Sequence, residues 1–201
     1  MVKRREDNPR DGGGRRRLSA RDWADAALTA IGEGGLAAVA VEPLAARLGT
    51  TKGSFYWHFA NREALVEAAL GRWEDACTED VITALAAEPD DRRRLRRLFT
   101  ETTASAARDP IELALLATRT HPQVAAALQR VTERRIGYLA GLFGGLGFPQ
   151  DEARRRALLA YSAFLGHVQL AHAVPGALPH GADRAPYLDS VIDALLRRDL
   201  A

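Results

Sequence analysis

The sequence predicts an all-α protein, and three observations carry that expectation. Its 201 residues are rich in Ala, Leu and Arg, with few β-branched runs. Apolar residues recur every three or four positions, and no sustained alternating pattern of a half-buried strand is present. Glycine and proline fall between these periodic stretches, at Gly34 and Gly35, at Pro89, at Gly144, Gly145 and Gly147, and through 174–186, as residues that stop helices would. The length suffices for a substantial apolar core in one or two domains.

Residues 1–17 are polar, broken by Pro9 and Gly12 to Gly14, and are expected to be disordered. The net charge of +2 is modest, but Lys3, Arg4, Arg5, Arg10, Arg15, Arg16 and Arg17 gather positive charge here. Such an arm could lie on phosphates or enter a minor groove, or it could be a solubilising tail. Its acids Glu6, Asp7 and Asp11 weaken the first reading.

Ser19 caps the first firm helix, with Asp22 in a capping-box position that the shorter acid fills less well than Glu would. Trp23, Ala26, Ala27, Ala30 and Ile31 form its buried stripe, and Gly34 and Gly35 end it. Leu36, Val39 and Val41 add apolar contacts. From Val41 to Asn61 the pattern is two short helices meeting at a tight turn: Leu44, Ala45 and Leu48 share one face, Arg47 points away, and Gly49 closes the first helix. Thr51 is a candidate N-cap for a second helix from Lys52 to about Phe59. This is a helix-turn-helix, whose second helix can enter a major groove.

The identities are more specific than the spacing. TTKGSFYWHFANREAL, with Gly49, Lys52, Gly53, Phe55, Tyr56, His58, Phe59, Arg62, Ala64 and Leu65 at matching positions, resembles the signature of the TetR family of transcriptional regulators. The resemblance covers Ser19 to about Leu70. It departs from the family's pattern at Ala40, where a capping threonine is usual, and at Glu42, where a basic residue often stands. Glu42 would repel a phosphate there.

Asn61 is a plausible cap for a helix from Arg62 to Ala86 or Ala87, with Leu65 and Ala68 under the hairpin and Trp73, Cys77, Val81 and Leu85 facing another core. Such a continuous helix would join two domains mechanically. A polar turn at 88–91 precedes a helix from Asp91 to about Arg108, with Leu95, Leu98, Phe99 and Thr102 inward and Arg92, Arg93, Arg94, Arg96 and Arg97 outward. The arginine run reads as a solvated face before it reads as a nucleic-acid patch. A short helix follows from Asp109 and Pro110 to about Thr118, then long helices from Pro122 to Phe143 and from Gln150 to Ala173. The second of these, with Leu158, Leu159, Tyr161, Phe164, Leu165, Val168 and Leu170, is apolar on more than one face, as a helix serving both a core and a partner would be. A last helix is expected from Pro186 to Arg198, with Leu188, Val191, Ile192 and Leu195 at helical spacing.

The resemblance implies a division of labour. A basic arm over 1–17 would precede a three-helix helix-turn-helix DNA-binding domain over 18–65 and an all-helical effector-binding and dimerisation domain over 66–201. It places Thr51, Lys52, Gly53, Ser54 and Trp57 toward base edges and Tyr56, His58 and Arg62 toward phosphate oxygens. Lysine can donate to guanine acceptors, Thr and Ser can serve either role, and glycine lets the backbone approach. Periodicity alone leaves Trp57 between core and groove. The resemblance also implies a homodimer built from the last two helices, with Leu158, Leu165, Leu188, Val191, Ile192 and Leu195 at the interface; an ordinary monomer core is the alternative. An effector pocket would draw on Trp73, Cys77, Phe99, Arg119, His121, Tyr138, Tyr161, Phe164 and His167, a largely apolar wall suited to an apolar or aromatic molecule.

Other classes find less support. The sequence has no nucleophile elbow, phosphate-cradling glycine loop or paired metal motif, so no catalytic residue, metal site or cofactor is expected. Cys77, the one cysteine, cannot make an intrachain disulfide; it reads as a buried small hydrophobe, with redox chemistry or ligand contact as alternatives. With no apolar signal core or spanning stretch, a cytoplasmic protein without a membrane partner is expected. The expected function is a repressor that leaves palindromic operator DNA on binding its effector. The alternatives are an activator of the same architecture and a helical small-molecule-binding protein with weakened DNA affinity.

Overall fold

A computed structural model describes residues 18–198, and the arm expected over 1–17 lies outside them. Among the described residues every regular element is helical. Helix α1 (Ala20–Gly34) opens on a complete capping box. The Asp22 amide donates to Ser19 Oγ at 3.2 Å, and the Ser19 amide donates to Asp22 Oδ2 at 2.7 Å. The shorter acid therefore closes the box, because the Ser19 hydroxyl also donates to it, at 2.7 Å. Gly35, at φ +67°, turns the chain out of α1.

Helix α2 (Val41–Arg47) buries Leu44 and Ala45 and has no side-chain cap at Ala40. Gly49 takes φ +63° in the turn, a conformation that a Cβ would oppose. Helix α3 (Lys52–Tyr56) is shorter than expected, ending three residues before Phe59. Thr51 occupies its N-cap, but the hydroxyl makes no capping bond; the contact there is backbone, Ser54 N–H to Thr51 C=O at 3.0 Å. Phe55 is fully buried, edge-on to Trp23 at 5.5 Å and stacked on Phe59 at 5.7 Å, which fixes the hairpin on α1.

Helix α4 (Arg62–Glu74) begins at an Asn61 side chain that accepts from the Ala64 amide at 2.9 Å. The long helix expected from here runs on to Leu85, with a π-helical turn at Asp75–Glu79 between α4 and α5 (Asp80–Leu85). Trp73 joins the N-terminal core and not a separate C-terminal one. That first core also takes in Leu115, Val124, Ala127 and Val131, so it runs across the boundary placed at residue 65.

Helix α6 (Asp91–Ala106) is capped by Asp90, which accepts from the Arg93 amide at 2.8 Å. Its five arginines each meet an acid: Arg92 with Asp193, Arg93 with Glu88, Arg94 with Asp91, Arg96 with Asp189 and Arg97 with Glu101. The run is thus paired with acids along its length, as a solvated charged face would be. Helix α7 (Ile111–Ala117) packs against α1 where Gly32 has no side chain; a Cβ there would lie 3.0 Å from Ile111 Cγ1. Helices α8 (Pro122–Gly145) and α9 (Gln150–Ala173) form the long hairpin of the C-terminal half. Helix α10 (Arg184–Leu196) starts two residues earlier than expected, after two 3₁₀ turns.

The second core joins α6, α8, α9 and α10 around Leu95, Phe99, Phe143, Tyr161 and Ile192. The residues expected at a dimer interface divide between this core and the surface. Leu188, Ile192 and Leu195 are buried within the chain, and Leu165 and Val191 are half-buried against the same core. Of the six, only Leu158 is exposed, in company with Leu159, Leu170 and Val174. No helix among the described residues is long and apolar enough to cross a membrane.

Candidate nucleic-acid interface and effector chamber

The hairpin sorts its side chains sharply. Phe55 and Phe59 turn into the core, while Tyr56 and Trp57 are 58% and 84% exposed. Thr51, Lys52 and Gly53 are exposed and Ser54 and His58 partly so, and the space around Gly53 holds only Thr51 Oγ1, 3.5 Å from a notional Cβ. Lys52 is not free: its ammonium donates to Glu42 Oε1 at 3.0 Å, which raises the lysine's affinity for its proton. The acid that departs from the expected pattern is thus turned onto the second helix of the motif.

Arg62 is drawn inward. Its Nε donates to the Val39 carbonyl at 2.7 Å and its Nη2 to the Leu36 carbonyl, tying α4 to the turn before α2. The Leu36 carbonyl also accepts from the Val39 amide at 3.2 Å, so the guanidinium braces a 3₁₀ turn that already holds its own bond. The guanidinium expected on a phosphate therefore spends two of its nitrogens inside the protein.

Two adjoining hollows occupy the C-terminal half. The inner one, about 50 Å³, is walled by Val81, Ile82, Leu98, Phe99, Tyr161 and Phe164, with Cys77, Thr78 and Tyr138 also lining it. The outer one, about 370 Å³, is lined by Trp73 together with Glu101, Asp109, Ile111 and Glu112. Cys77, Val81, Thr102, Arg135 and Phe164 belong to both. Of the nine expected lining residues, Cys77, Phe99, Tyr138, Tyr161 and Phe164 meet in the inner hollow and Trp73 lies in the outer.

Arg119, His121 and His167 line neither hollow. Arg119 donates to the Leu116 carbonyl at 3.3 Å near the end of its own helix. His121 sits at the N-cap of α8 with Nδ1 buried and unpartnered among the described residues. His167 faces α10, stacked on Tyr187 at 6.0 Å. Burial, and then nearby Arg184, hold His167 below the usual histidine range.

Arg135 is the residue that sequence reasoning missed. Its Nη1 donates to Glu112 Oε1 at 2.7 Å, its Nε to Thr78 Oγ1 at 3.1 Å, and its Nη2 approaches Cys77 Sγ at 3.1 Å. The guanidinium carbon lies 5.6 to 5.9 Å from the rings of Phe164, Trp73 and Tyr161. Burial works against its charge, but Glu112, and after it Cys77 and Tyr161, together outweigh it and the group is held above even the ordinary arginine value. Burial pushes the Cys77 thiol up, against the opposing pull of Arg135 and Thr78, so the sulfur is a neutral thiol at pH 7. No group of three His, Cys, Asp or Glu side chains is placed to hold a metal among the described residues.

Comparison with known proteins agrees with this geometry. A sequence model of bacterial regulatory proteins of the tetR family matches residues 24–69. No curated protein matches the chain in sequence. Among solved structures, a transcriptional regulator from Rhodococcus sp. Rha1 superposes with a TM-score of 0.67 at 22% identity, covering 89% of this chain and 94% of its own. A candidate transcriptional regulator from Streptomyces coelicolor A3(2) gives 0.65 at 25% identity, with 88% and 97% covered. A candidate TetR-family regulator from Rhodococcus sp. gives 0.62 at 21%, with 89% and 98% covered. Residues 24–69 therefore match the tetR family of bacterial regulatory proteins, and the chain as a whole shares its fold with these solved structures.

Proposed function

We propose that this chain is an effector-responsive transcriptional repressor, not an enzyme, that binds palindromic operator DNA as a homodimer. The observation that carries the reading is the sorting of α3: Phe55 is anchored in the core while Tyr56 and Trp57 stand in solvent beside Lys52. An exposed indole next to a phenol and an ammonium suits contact with thymine methyls, sugars and phosphates. Thr51, Lys52, Gly53, Ser54 and Trp57 then face base edges, and Tyr56 and His58 face phosphates.

The exposed leucines of α9 supply the symmetric contact, because two modules one helical turn apart, about 34 to 36 Å, read the halves of a palindrome. A small, mainly apolar effector in the paired hollows would favour one arrangement of α4, α7 and α8 over another. The π-helical turn at Asp75–Glu79 lies beside that site, and Gly32 meets Ile111 on the side of the DNA module. Release of DNA follows if the two arrangements differ in affinity for it.

Selection of source-genome fragments by the purified protein, followed by titration at two salt concentrations, tests this reading. A recovered palindrome bound with steep salt dependence, and weakened by Lys52→Ala or Tyr56→Phe, supports it; no preference over random duplex at either salt overturns it. The Glu42 pairing favours one second reading, a helical small-molecule-binding protein with weakened DNA affinity. In that case ligand uptake and dimerisation persist without operator selection. A promoter reporter distinguishes repression from activation.

A further inference from the structure

The outer hollow has a charge balance that narrows the effector class. Glu101, Asp109 and Glu112 line it, against the single cation Arg135. Glu101 is partly answered by Arg97 at 2.7 Å, and Asp109 Oδ1 accepts from the Ile111 amide at 2.9 Å. Glu112 is different, because the residue is only 8% exposed and just one of its oxygens is used. Oε1 accepts from Arg135, and Oε2 accepts no hydrogen bond among the described residues. Oε2 is not one of the side-chain atoms sealed from solvent without a partner, so it opens onto the hollow, where a ligand's donor can reach it.

Arg135 is largely committed within the protein, which leaves little of it for an anion. Its Nε serves Thr78, one Nη1 proton serves Glu112, and Nη2 serves the Cys77 sulfur and, at 3.4 Å, the Cys77 carbonyl. An anionic ligand would also meet the three carboxylates at the mouth. In the inner hollow, the Tyr138 hydroxyl is buried and has no partner among the described residues. The remaining wall is aliphatic and aromatic, with the Trp73 and Phe164 faces at the junction.

The geometry points to an effector that is an amphipathic amine: a protonated nitrogen donating to Glu112 Oε2, and an apolar or aromatic body passing Phe164 into the inner hollow. The ammonium answers the unused carboxylate oxygen, and the aromatic faces add cation–π attraction. This assignment rests on the reading of the hollows as the effector site. It is independent of whether the helix-turn-helix binds an operator.

The test is calorimetric titration of the full chain, without DNA, with three probes of one shape: naphthylethylamine, naphthylethanol and naphthylpropanoate. The amine binds tighter than the alcohol by about tenfold to a hundredfold, as a charge-assisted bond to a partly buried acid implies, and the carboxylate binds weakest. Glu112→Gln keeps an acceptor for Arg135 and removes the amine's advantage while leaving the alcohol nearly unchanged. Asp109→Asn, at the exposed mouth, weakens the amine roughly threefold at low salt and less at high salt. Equal or tighter binding of the carboxylate, an amine preference that survives Glu112→Gln in a folded variant, or no uptake of the amine at millimolar concentration each overturns the proposal. Failure of operator selection would sink the repressor reading and leave this result standing, and the reverse also holds.

Discussion

Arg135 on α8 and Glu112 on α7 meet at 2.7 Å in the wall between two hollows, with 13% and 9% of their side chains exposed. The pair joins the helix that packs on α1 to the long hairpin of the C-terminal half. A buried ion pair of this kind adds little net stability over an apolar pair of equal shape, but removing one partner strands the other.

Glu112→Ala should therefore destabilise the fold by about 3–5 kcal/mol, whereas the double change Glu112→Leu with Arg135→Met should recover most of that loss. Urea denaturation at one fixed protein concentration measures both. An additive double variant would show that the two residues are not coupled.

The Glu42 and Lys52 side chains are exposed and paired at 3.0 Å, so the acid competes with DNA for the lysine. Glu42→Gln should raise affinity for nonspecific duplex several-fold and steepen the slope of log K against log salt by about 0.9, the share of one phosphate contact. Fluorescence anisotropy at four salt concentrations reads the slope. An unchanged slope would mean that Lys52 gains no phosphate when the acid is removed.

Leu159 and Leu188 lie on neighbouring helices but face opposite ways, one exposed and one buried. Leu159→Asp should give a folded monomer by analytical ultracentrifugation that no longer binds a palindrome. Leu188→Asp should instead unfold, with a loss of several kcal/mol from an uncompensated buried charge. A dimer that persists in Leu159→Asp would place the self-contact elsewhere.

His167 is held below its ordinary value by burial and by Arg184. The unfolded chain then binds the proton more readily, so the stability contributed by neutral His167 is complete above the unfolded value of about 6.5 and is lost as pH falls through the folded value. Thermal midpoints should fall between about pH 7 and pH 5.5. His167→Phe, which keeps a ring against Tyr187, should flatten that fall. An identical slope in the variant would assign it to other groups.

Much of this architecture is legible along the chain because it is local. Helix α9 runs from Gln150 to Ala173, the limits its apolar period sets. Ser19 and Asn61 cap where short polar side chains can reach amides three residues on. Gly49 marks the turn because its positive φ suits a residue without a Cβ. Phe55 and Phe59 could be placed in the core from spacing and family likeness together. Thr51 shows the limit of such reading, since its hydroxyl makes no bond although its position is right.

The sequence by itself determined the helical class, the helix-turn-helix and the stretch from Ser19 to about Leu70 that resembles the TetR signature, because these depend on neighbours within one or two turns. Tertiary structure decided which apolar stripes meet within the chain: Ile192 and Leu195 show the same periodicity whether they share a core with α6 or meet a second copy. It also decided the chamber. Arg135 lies 23 residues from Glu112 and 57 from Thr78, and only the packing of α7 and α8 against the π-helical turn brings a surface-type residue into a low-dielectric wall where its charge is held by one acid.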